Sequence, residues 1–143
     1  MKNLLFLLLL TAATGCATAP EKTPTANTET ESVATAPQNL CFRKEYPYKD
    51  NSSMKDVVEL QLSIDGSQVT GTYNWLPAEK DQRKGTLTGT IVDKTITANY
   101  RFMQEGIEST VPLQITLTEK EAMVSGENAE LGMDATLAKV GCK

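Results

Sequence analysis

Apolar and polar residues alternate one by one through most of the chain after residue 40. Between Val58 and Ile64, for example, the apolar residues are separated by Glu59, Gln61 and Ser63. Successive side chains of a β-strand point to opposite faces, so a period of two predicts strands with one buried face. No stretch has convincing helical spacing, and the predicted fold class is therefore all-β. Segments with this alternation occupy residues 40–46, 58–64, 69–75, 87–91, 96–102, 111–117, 122–126 and 131–137.

Short turn sequences join several of these eight segments to their neighbours. They are Asp65-Gly66-Ser67, Asp93-Lys94 and Glu119-Lys120-Glu121, which predict hairpins. Eight consecutive antiparallel strands favour an up-and-down meander or a closed barrel, because closure removes exposed sheet edges. Gly71 and Gly89 agree with this, since glycine inside a strand commonly marks a bend or a close approach. A sandwich of two sheets is the alternative.

The third and fifth predicted strands share one pattern at an offset of 27 residues. In both strands a β-branched residue is followed at alternate positions by a glycine or alanine, a tyrosine and a second aromatic residue. This repetition indicates that one hairpin unit is used twice. The matching positions are Val69, Gly71, Tyr73 and Trp75 in one strand, and Ile96, Ala98, Tyr100 and Phe102 in the other.

An even number of strands places both ends of the predicted domain at one end of the barrel, together with the tight turns. The longer connections, residues 47–56, 76–84 and 103–110, lie at the opposite end, which we call the loop end. Loops on a rigid scaffold carry function disproportionately. We therefore expect the working surface at the loop end, with residues 76–84 next to residues 103–110.

Five residues are candidates for binding a ligand or a partner at the loop end: Trp75, Lys80, Arg83, Gln104 and Glu105. Trp75 can line a ligand cavity or pack in the core. Lys80 and Arg83 can hold a partner, or they can simply keep this end of the barrel soluble. These alternatives remain open at the level of the sequence.

Acidic residues in the same connections raise the question of catalysis or calcium binding. Glu79, Asp81, Glu105 and Glu108 could supply an acid/base pair or calcium ligands. Calcium loops place acidic or amide residues at alternating positions around a glycine, whereas Lys80 interrupts this sequence. Solvated loop charges are the favoured interpretation, and no metal or cofactor is expected.

Two cysteines lie at the two ends of the predicted domain, Cys41 and Cys142. An even pair in an exported protein favours a disulfide, and the predicted strand parity brings the two residues together. Two free thiols or a redox pair are the alternatives. Catalytic thiols usually stand close together or near a histidine, and the chain contains no histidine.

The N-terminus has the order of parts found in an exported protein. Lys2 precedes an apolar run at residues 4–10, which is too short to span a bilayer, and small residues follow before Cys16. This segment resembles the lipobox signal peptide of bacterial lipoproteins. The resemblance implies that residues 1–15 are removed and that Cys16 carries a diacylglyceryl thioether, usually with a further acyl chain such as palmitate. An ordinary signal peptide with a cut after residues 17–19 is the alternative.

Residues 16–39 are expected to connect this anchor to the domain at residues 40–143. The connecting stretch consists largely of Thr, Ala, Pro and Glu, a composition that predicts a disordered tether. Ala17 rather than aspartate follows Cys16, which by analogy with enteric lipoproteins favours the outer membrane. Surface export in Bacteroidota tends to require acidic residues at this point, and residues 17–20 contain none, which favours the periplasmic face.

A second resemblance covers most of residues 41–126. The segments Asn74-Trp75-Leu76-Pro77-Ala78-Glu79-Lys80-Asp81, Gly85-Thr86 and Tyr100-Arg101-Phe102-Met103-Gln104-Glu105-Gly106 are similar to small uncharacterised lipoproteins of Bacteroidota. This resemblance implies no activity and no catalytic residue. A weaker, architectural likeness is to periplasmic lysozyme-inhibitor lipoproteins, which are also small disulfide-linked barrels, although their inhibitory loop motif is not found in this sequence.

Composition narrows the function classes further. The formal net charge is −4 and no cluster of Lys and Arg is present, which argues against nucleic-acid binding. Without histidine or a free thiol, catalysis is the least favoured class. The prediction is a monomeric, non-catalytic binding module for a small apolar ligand or a protein partner. The alternative is an envelope interaction protein, such as an inhibitor of a wall-degrading enzyme, and an enzyme of unknown type comes third.

Overall fold

A computed structural model describes residues 36–48 and 51–143. The described part is a closed barrel in which each strand is antiparallel to the next and the last strand pairs with the first. The all-β barrel prediction is confirmed, and the two-sheet alternative is wrong. The strands are β1 (Gln38–Tyr48), β2 (Asn51–Asp65), β3 (Gln68–Leu76), β4 (Arg83–Val92), β5 (Thr95–Gln104), β6 (Ile107–Leu117), β7 (Glu121–Gly126) and β8 (Ala135–Val140).

The expected signal peptide, Cys16 and the tether as far as residue 35 lie outside the described residues. Within the described ranges the only helix is a 3₁₀ turn at Ala129–Leu131. None of the helical structure described is long and apolar enough to cross a membrane.

Apolar side chains from all eight strands fill the interior of the barrel and form one cluster. Leu60, Ile96, Tyr100, Ile115 and Leu137 are completely buried within it. Burying a large apolar side chain contributes about 1.5–3 kcal/mol, so this packed interior is the main stabilising feature of the domain. The period-two pattern therefore predicted the inner face correctly along most strands.

The repeated tyrosines of β3 and β5 contact each other in the centre of the barrel. The rings of Tyr73 and Tyr100 meet edge to face with centroids 5.4 Å apart, and Tyr100 also stacks on Phe102 at 5.0 Å. The Tyr100 hydroxyl donates a hydrogen bond to the carbonyl oxygen of Tyr73 at 2.5 Å. The sequence repeat thus places two equivalent positions side by side.

Glycines on the inner face allow neighbouring strands to approach closely. A Cβ atom on Gly71 would lie 2.1 Å from the carbonyl oxygen of Gln61, and one on Gly89 would lie 2.1 Å from that of Thr97. Real Cβ atoms do not approach backbone oxygens so closely. The expected close approach at both glycines is confirmed.

The barrel is closed both by hydrogen bonds and by a covalent bond. β1 pairs with β8 from Cys41 to Arg43, opposite Val140 to Ala138. Cys41 and Cys142 form a disulfide with their Cα atoms 5.3 Å apart. The predicted pairing of these cysteines is confirmed, as is the strand parity that brings the two ends of the domain together.

Two of the long connections expected at the loop end are much shorter in the structure. β5 and β6 continue to a two-residue turn at Glu105 and Gly106, whose φ angles of 53° and 76° are typical of a type I′ hairpin. β2 begins at Asn51, so the expected loop at residues 47–56 is also wrong. In both places the strands extend into the expected loop, through positions where side chains on both faces are exposed to solvent. The alternation of apolar residues is lost there, so the pattern did not predict a strand.

The last predicted strand begins too early. β8 starts at Ala135, and the preceding residues 127–134 form an irregular segment that we call the strap. Gly132 has a φ of 56°, which interrupts the extended backbone between Leu131 and Met133. The side chain of Met133 is nevertheless buried, because the strap folds over the end of the barrel.

Candidate functional site

The β3–β4 connection, residues 77–82, and the β5–β6 turn lie side by side at the loop end. Together they line a shallow, open groove that includes Asp81, Gln82, Lys84 and residues 103–106. The expected proximity of residues 76–84 and 103–110 is therefore confirmed. This groove is the candidate functional site.

Side-chain to backbone hydrogen bonds hold both ends of the 77–82 connection. The Asp56 carboxylate accepts a hydrogen bond from the backbone N–H of Ala78 at 2.8 Å. The Asn74 side-chain oxygen accepts one from the N–H of Gly85 at 3.3 Å. Polar side chains that satisfy turn backbone in this way fix the path of a short loop. These two hydrogen bonds thus fix the connection that forms one wall of the groove.

The groove combines charged, polar and apolar groups on an exposed surface. Lys80 and Glu105 are exposed, and Gln104 is partly exposed. Met103, which lines the groove, exposes 53% of its surface, and Ile107, on the opposite face of the same hairpin, exposes 66%. Neither Met103 nor Ile107 was a candidate from the sequence, because an exposed apolar residue in a strand looks like any other member of the alternation.

The prediction that Arg83 belongs to the binding site at the loop end is wrong. It is only 4% exposed, whereas an exposed loop cation was expected. Its Nη1 donates a hydrogen bond to the Leu131 carbonyl at 2.6 Å, and its Nη2 donates one to the Gly132 carbonyl at 3.3 Å. Arg83 is the first residue of β4 and has the same parity as Leu87, so its side chain points inward. It fastens the strap to the barrel and is not part of the groove.

Trp75 lies near the end of β3, at the loop end of the barrel. It is partly buried and packs against the core, as the core-packing alternative predicts. Its ring centroid is 5.6 Å from the guanidinium carbon of Arg83, and that of Phe102 is 5.8 Å from the same atom. Trp75 therefore supports the buried arginine.

Open access, mixed polarity and a shallow shape suit the surface of a larger partner better than an enclosed small molecule. No protein-family model, curated protein or solved structure matches this chain. The chemistry of the groove is therefore defined by the residues that line it.

Glu108, one of the acidic candidates at the loop end, is paired with a cation. It forms an ion pair with Arg101, with Nη2 and Oε1 2.8 Å apart, and both side chains are largely exposed. The solvated-charge interpretation therefore accounts for Glu108. Among the described residues, no group of three or more His, Cys, Asp or Glu side chains could hold a metal ion.

A network of charges occupies a different part of the surface, on β1 and β2. Arg43 forms ion pairs with Glu45 at 3.0 Å and with Glu59, and Lys55 forms one with Glu45 at 2.6 Å. Hydrogen bonds from Lys55 and Arg43 lower the pKa of the Glu45 carboxyl. These exposed pairs contribute little to stability individually. They form a charged region on the outer surface of β1 and β2.

Proposed function

We propose that this protein is a non-catalytic binding module of the bacterial envelope, anchored through a lipid on Cys16, that takes a protein partner at the groove of the loop end. The packed interior is the observation that carries the proposal. Described side chains from every strand fill the barrel axis, so a ligand has to bind on the outside. This favours a protein partner over a small apolar ligand held within the barrel.

The groove has the arrangement of a small protein-binding surface. Exposed Met103 supplies an apolar contact, and Gln82, Gln104 and Glu105 line the groove around it with polar groups. Interfaces commonly place apolar anchors at the centre and polar residues at the rim. The two-residue turn also holds Met103 in place, which lowers the entropic cost of binding.

The proposed location follows from the sequence and agrees with the geometry of the barrel. The chain enters β1 at Gln38, and the groove lies at the opposite end. A lipid on Cys16 at the periplasmic face of the outer membrane would thus present the groove away from the attachment point of the tether. The protein would act there as a monomer.

Site-specific photo-crosslinking in intact cells tests the proposal. A photoreactive residue at Gln104 is expected to give discrete crosslinked protein products, whereas one at Lys120, at the turn end, should not. Met103→Asp in the Gln104 background should abolish these products, because a carboxylate would have to be desolvated at the apolar centre. The same pattern of products from both positions, or their persistence in the Met103→Asp variant, would refute the protein-binding groove.

Lipid extraction separates this proposal from the small-ligand alternative. The protein purified from its native envelope is expected to contain no stoichiometric lipid other than the covalent acyl chains. Recovery of one apolar molecule per chain, which survives in the Met103→Asp variant, would instead favour a ligand within the barrel.

A further inference from the structure

Six threonines form a regular array on the outer surface of β3, β4 and β5, which we call the threonine face. The strand register makes them three cross-strand pairs. Five are exposed and Thr72 is partly exposed. The pairs are Thr70 with Thr88, Thr72 with Thr86, and Thr90 with Thr97.

The hydroxyl groups of the threonine face make no side-chain hydrogen bond to any described residue of the protein. Thr118 shows the contrast, because its hydroxyl accepts hydrogen bonds from the backbone N–H groups of Lys120 and Glu121 at 3.3 and 2.9 Å. Six hydroxyls with both donor and acceptor capacity are thus directed to the outside.

Charged side chains are absent from the six positions and from their neighbours Gln68, Asn99 and Gln114. Surfaces usually mix charges of both signs at about a quarter to a third of positions. The same barrel does so on β1 and β2, where Arg43 and Glu59 are paired. Charge returns at the rim of the threonine face: Arg101 stands opposite Thr86, Lys84 precedes Thr86 by two positions on β4, and Asp65 stands opposite Gln68.

We propose that the threonine face binds a neutral polysaccharide. Neighbouring strands repeat about every 4.8 Å, and alternate residues of one strand repeat about every 6.7 Å. The array therefore offers hydroxyls in two directions to a polymer that itself repeats hydroxyl groups. Each hydrogen bond contributes little against water, so binding depends on several forming together.

The absence of charge selects between kinds of polymer. An acidic polysaccharide would bring carboxylates or sulfates to the centre of the face around Thr70, Thr88 and Thr97, where the register partners carry no cation to pair them, and such groups are costly to desolvate. The net charge of −4 adds a weak repulsion. A neutral glucan or mannan meets neither obstacle. The threonine face adjoins the groove at Thr86, which lies beside Lys84 and Met103, but the polysaccharide proposal does not depend on the function proposed for the groove.

Sedimentation with insoluble polysaccharides tests the proposal. The full-length protein in detergent is mixed with amorphous cellulose, with starch granules and with mannan, and with calcium alginate as the acidic comparison. Binding to at least one neutral polymer is expected, with weaker binding to alginate. No binding to any neutral polymer, or equal binding to alginate, would overturn the proposal.

Matched valine substitutions then locate the site, because valine keeps the shape and strand propensity of threonine without the hydroxyl. Thr70→Val, Thr88→Val and Thr97→Val together should weaken binding by about tenfold or more. Thr110→Val, Thr116→Val and Thr136→Val together, outside the threonine face, should leave binding within about twofold. Equal effects of the two triple variants would exclude this surface.

Two further variants test the assignment. One introduces a charge into the threonine face, and the other alters the groove. Thr88→Lys should remove binding to the neutral polymer while the melting temperature stays close to that of the wild type. Met103→Asp should leave polysaccharide binding unchanged, so the two proposals can fail independently. Loss of polysaccharide binding in Met103→Asp, or its retention in Thr88→Lys, would contradict the assignment to the threonine face.

Discussion

The guanidinium group of Arg83 is buried between two aromatic rings, with backbone carbonyls of the strap as its hydrogen-bond acceptors. Burying a charge is costly unless it is well bonded. Here two carbonyls and the faces of Trp75 and Phe102 share that role, while Nε has no partner among the described residues. One side chain thereby satisfies backbone groups that an irregular segment cannot pair by itself.

Replacement of Arg83 should therefore destabilise the domain. We expect Arg83→Met to lower the free energy of unfolding by about 2–4 kcal/mol, because the carbonyls of Leu131 and Gly132 lose their donors. Urea denaturation measures this change. Lys80→Ala, on the exposed connection nearby, should cost less than about 0.5 kcal/mol. Equal stability of the two variants would show that Arg83 does not hold the strap.

Tyr100 should make the stability of the domain sensitive to alkaline pH. Burial raises the pKa of its hydroxyl to about 12, with Arg83 opposing the shift. In the unfolded chain a tyrosine ionises near pH 10, so the folded state binds the proton more tightly. The contribution of Tyr100 is complete below about pH 10 and is lost as the pH rises towards 12.

We expect the free energy of unfolding of the wild type to fall above pH 10, and that of Tyr100→Phe to fall less steeply. Urea denaturation between pH 8 and 12 measures both curves. Parallel curves would mean that Tyr100 ionises alike in the folded and unfolded states.

Gly71 and Gly89 are required by the close approach of neighbouring strands. Gly71→Ala and Gly89→Ala should each destabilise the domain by about 1–3 kcal/mol or more, because the added methyl group meets a backbone oxygen. Gly141→Ala is the matched control, since nothing lies within 4 Å of its Cβ position. Thermal unfolding should give lower melting temperatures for Gly71→Ala and Gly89→Ala than for Gly141→Ala. An unchanged melting temperature for Gly71→Ala would contradict the steric argument.

At the scale of elements, β7 and β8 are too short to complete the barrel wall at the loop end. β6 pairs with β7 only from Leu113 onwards, and β1 pairs with β8 only as far as Arg43. The strap covers the interior at this point through Met133. Pro112 and Pro47 lie on the strand edges left beside the strap, and proline lacks the N–H group that edge-to-edge pairing needs.

The sequence predicted strands best where one face is buried and the other is polar. β3 and β5 meet this condition over most of their length, so the β2–β3 and β4–β5 hairpins, their turns and their inner residues were predictable. The strap was not, because Leu131 and Met133 have the spacing of a strand although Gly132 between them interrupts it. Arg83 was missed because charge suggested exposure, whereas its parity with Leu87 indicated the inner face.

The bond between Cys41 and Cys142 joins the first and last strands over a sequence separation of 101 residues. Closing so long a loop restricts the unfolded chain, and we expect reduction to lower the free energy of unfolding by about 2–4 kcal/mol. For a domain of this size the melting temperature should fall by about ten degrees or more. Calorimetry with and without reductant tests this, and Cys41→Ser with Cys142→Ser should match the reduced protein.

On the whole molecule, chemical character varies around the outer surface. Ion pairs lie on β1 and β2 and, between Arg101 and Glu108, on β5 and β6. Hydroxyl groups occupy β3 to β5, and mixed apolar and charged groups line the groove. A barrel has an outer surface on every side, so contacts can be made on more than one side at once.

Attachment to the membrane should depend on one residue. Cys16→Ala is expected to release the protein into the soluble fraction, because the acyl chains proposed for Cys16 would supply the stable anchoring. Metabolic labelling with an alkyne fatty acid followed by fractionation measures both lipidation and location. Equal labelling of wild type and variant would show that Cys16 is not the lipid attachment site.

The disulfide also has a consequence for what a protease can do to the barrel. Every connection of the barrel lies between Cys41 and Cys142, so a single cut at residues 77–82 or in the strap divides the chain without separating the pieces. The nicked molecule would remain one covalent unit: after a cut at residues 77–82, the disulfide still joins the fragment that carries the groove to the fragment that carries Cys41. Cleavage would appear on a gel only after reduction, and a cut molecule could keep working in place.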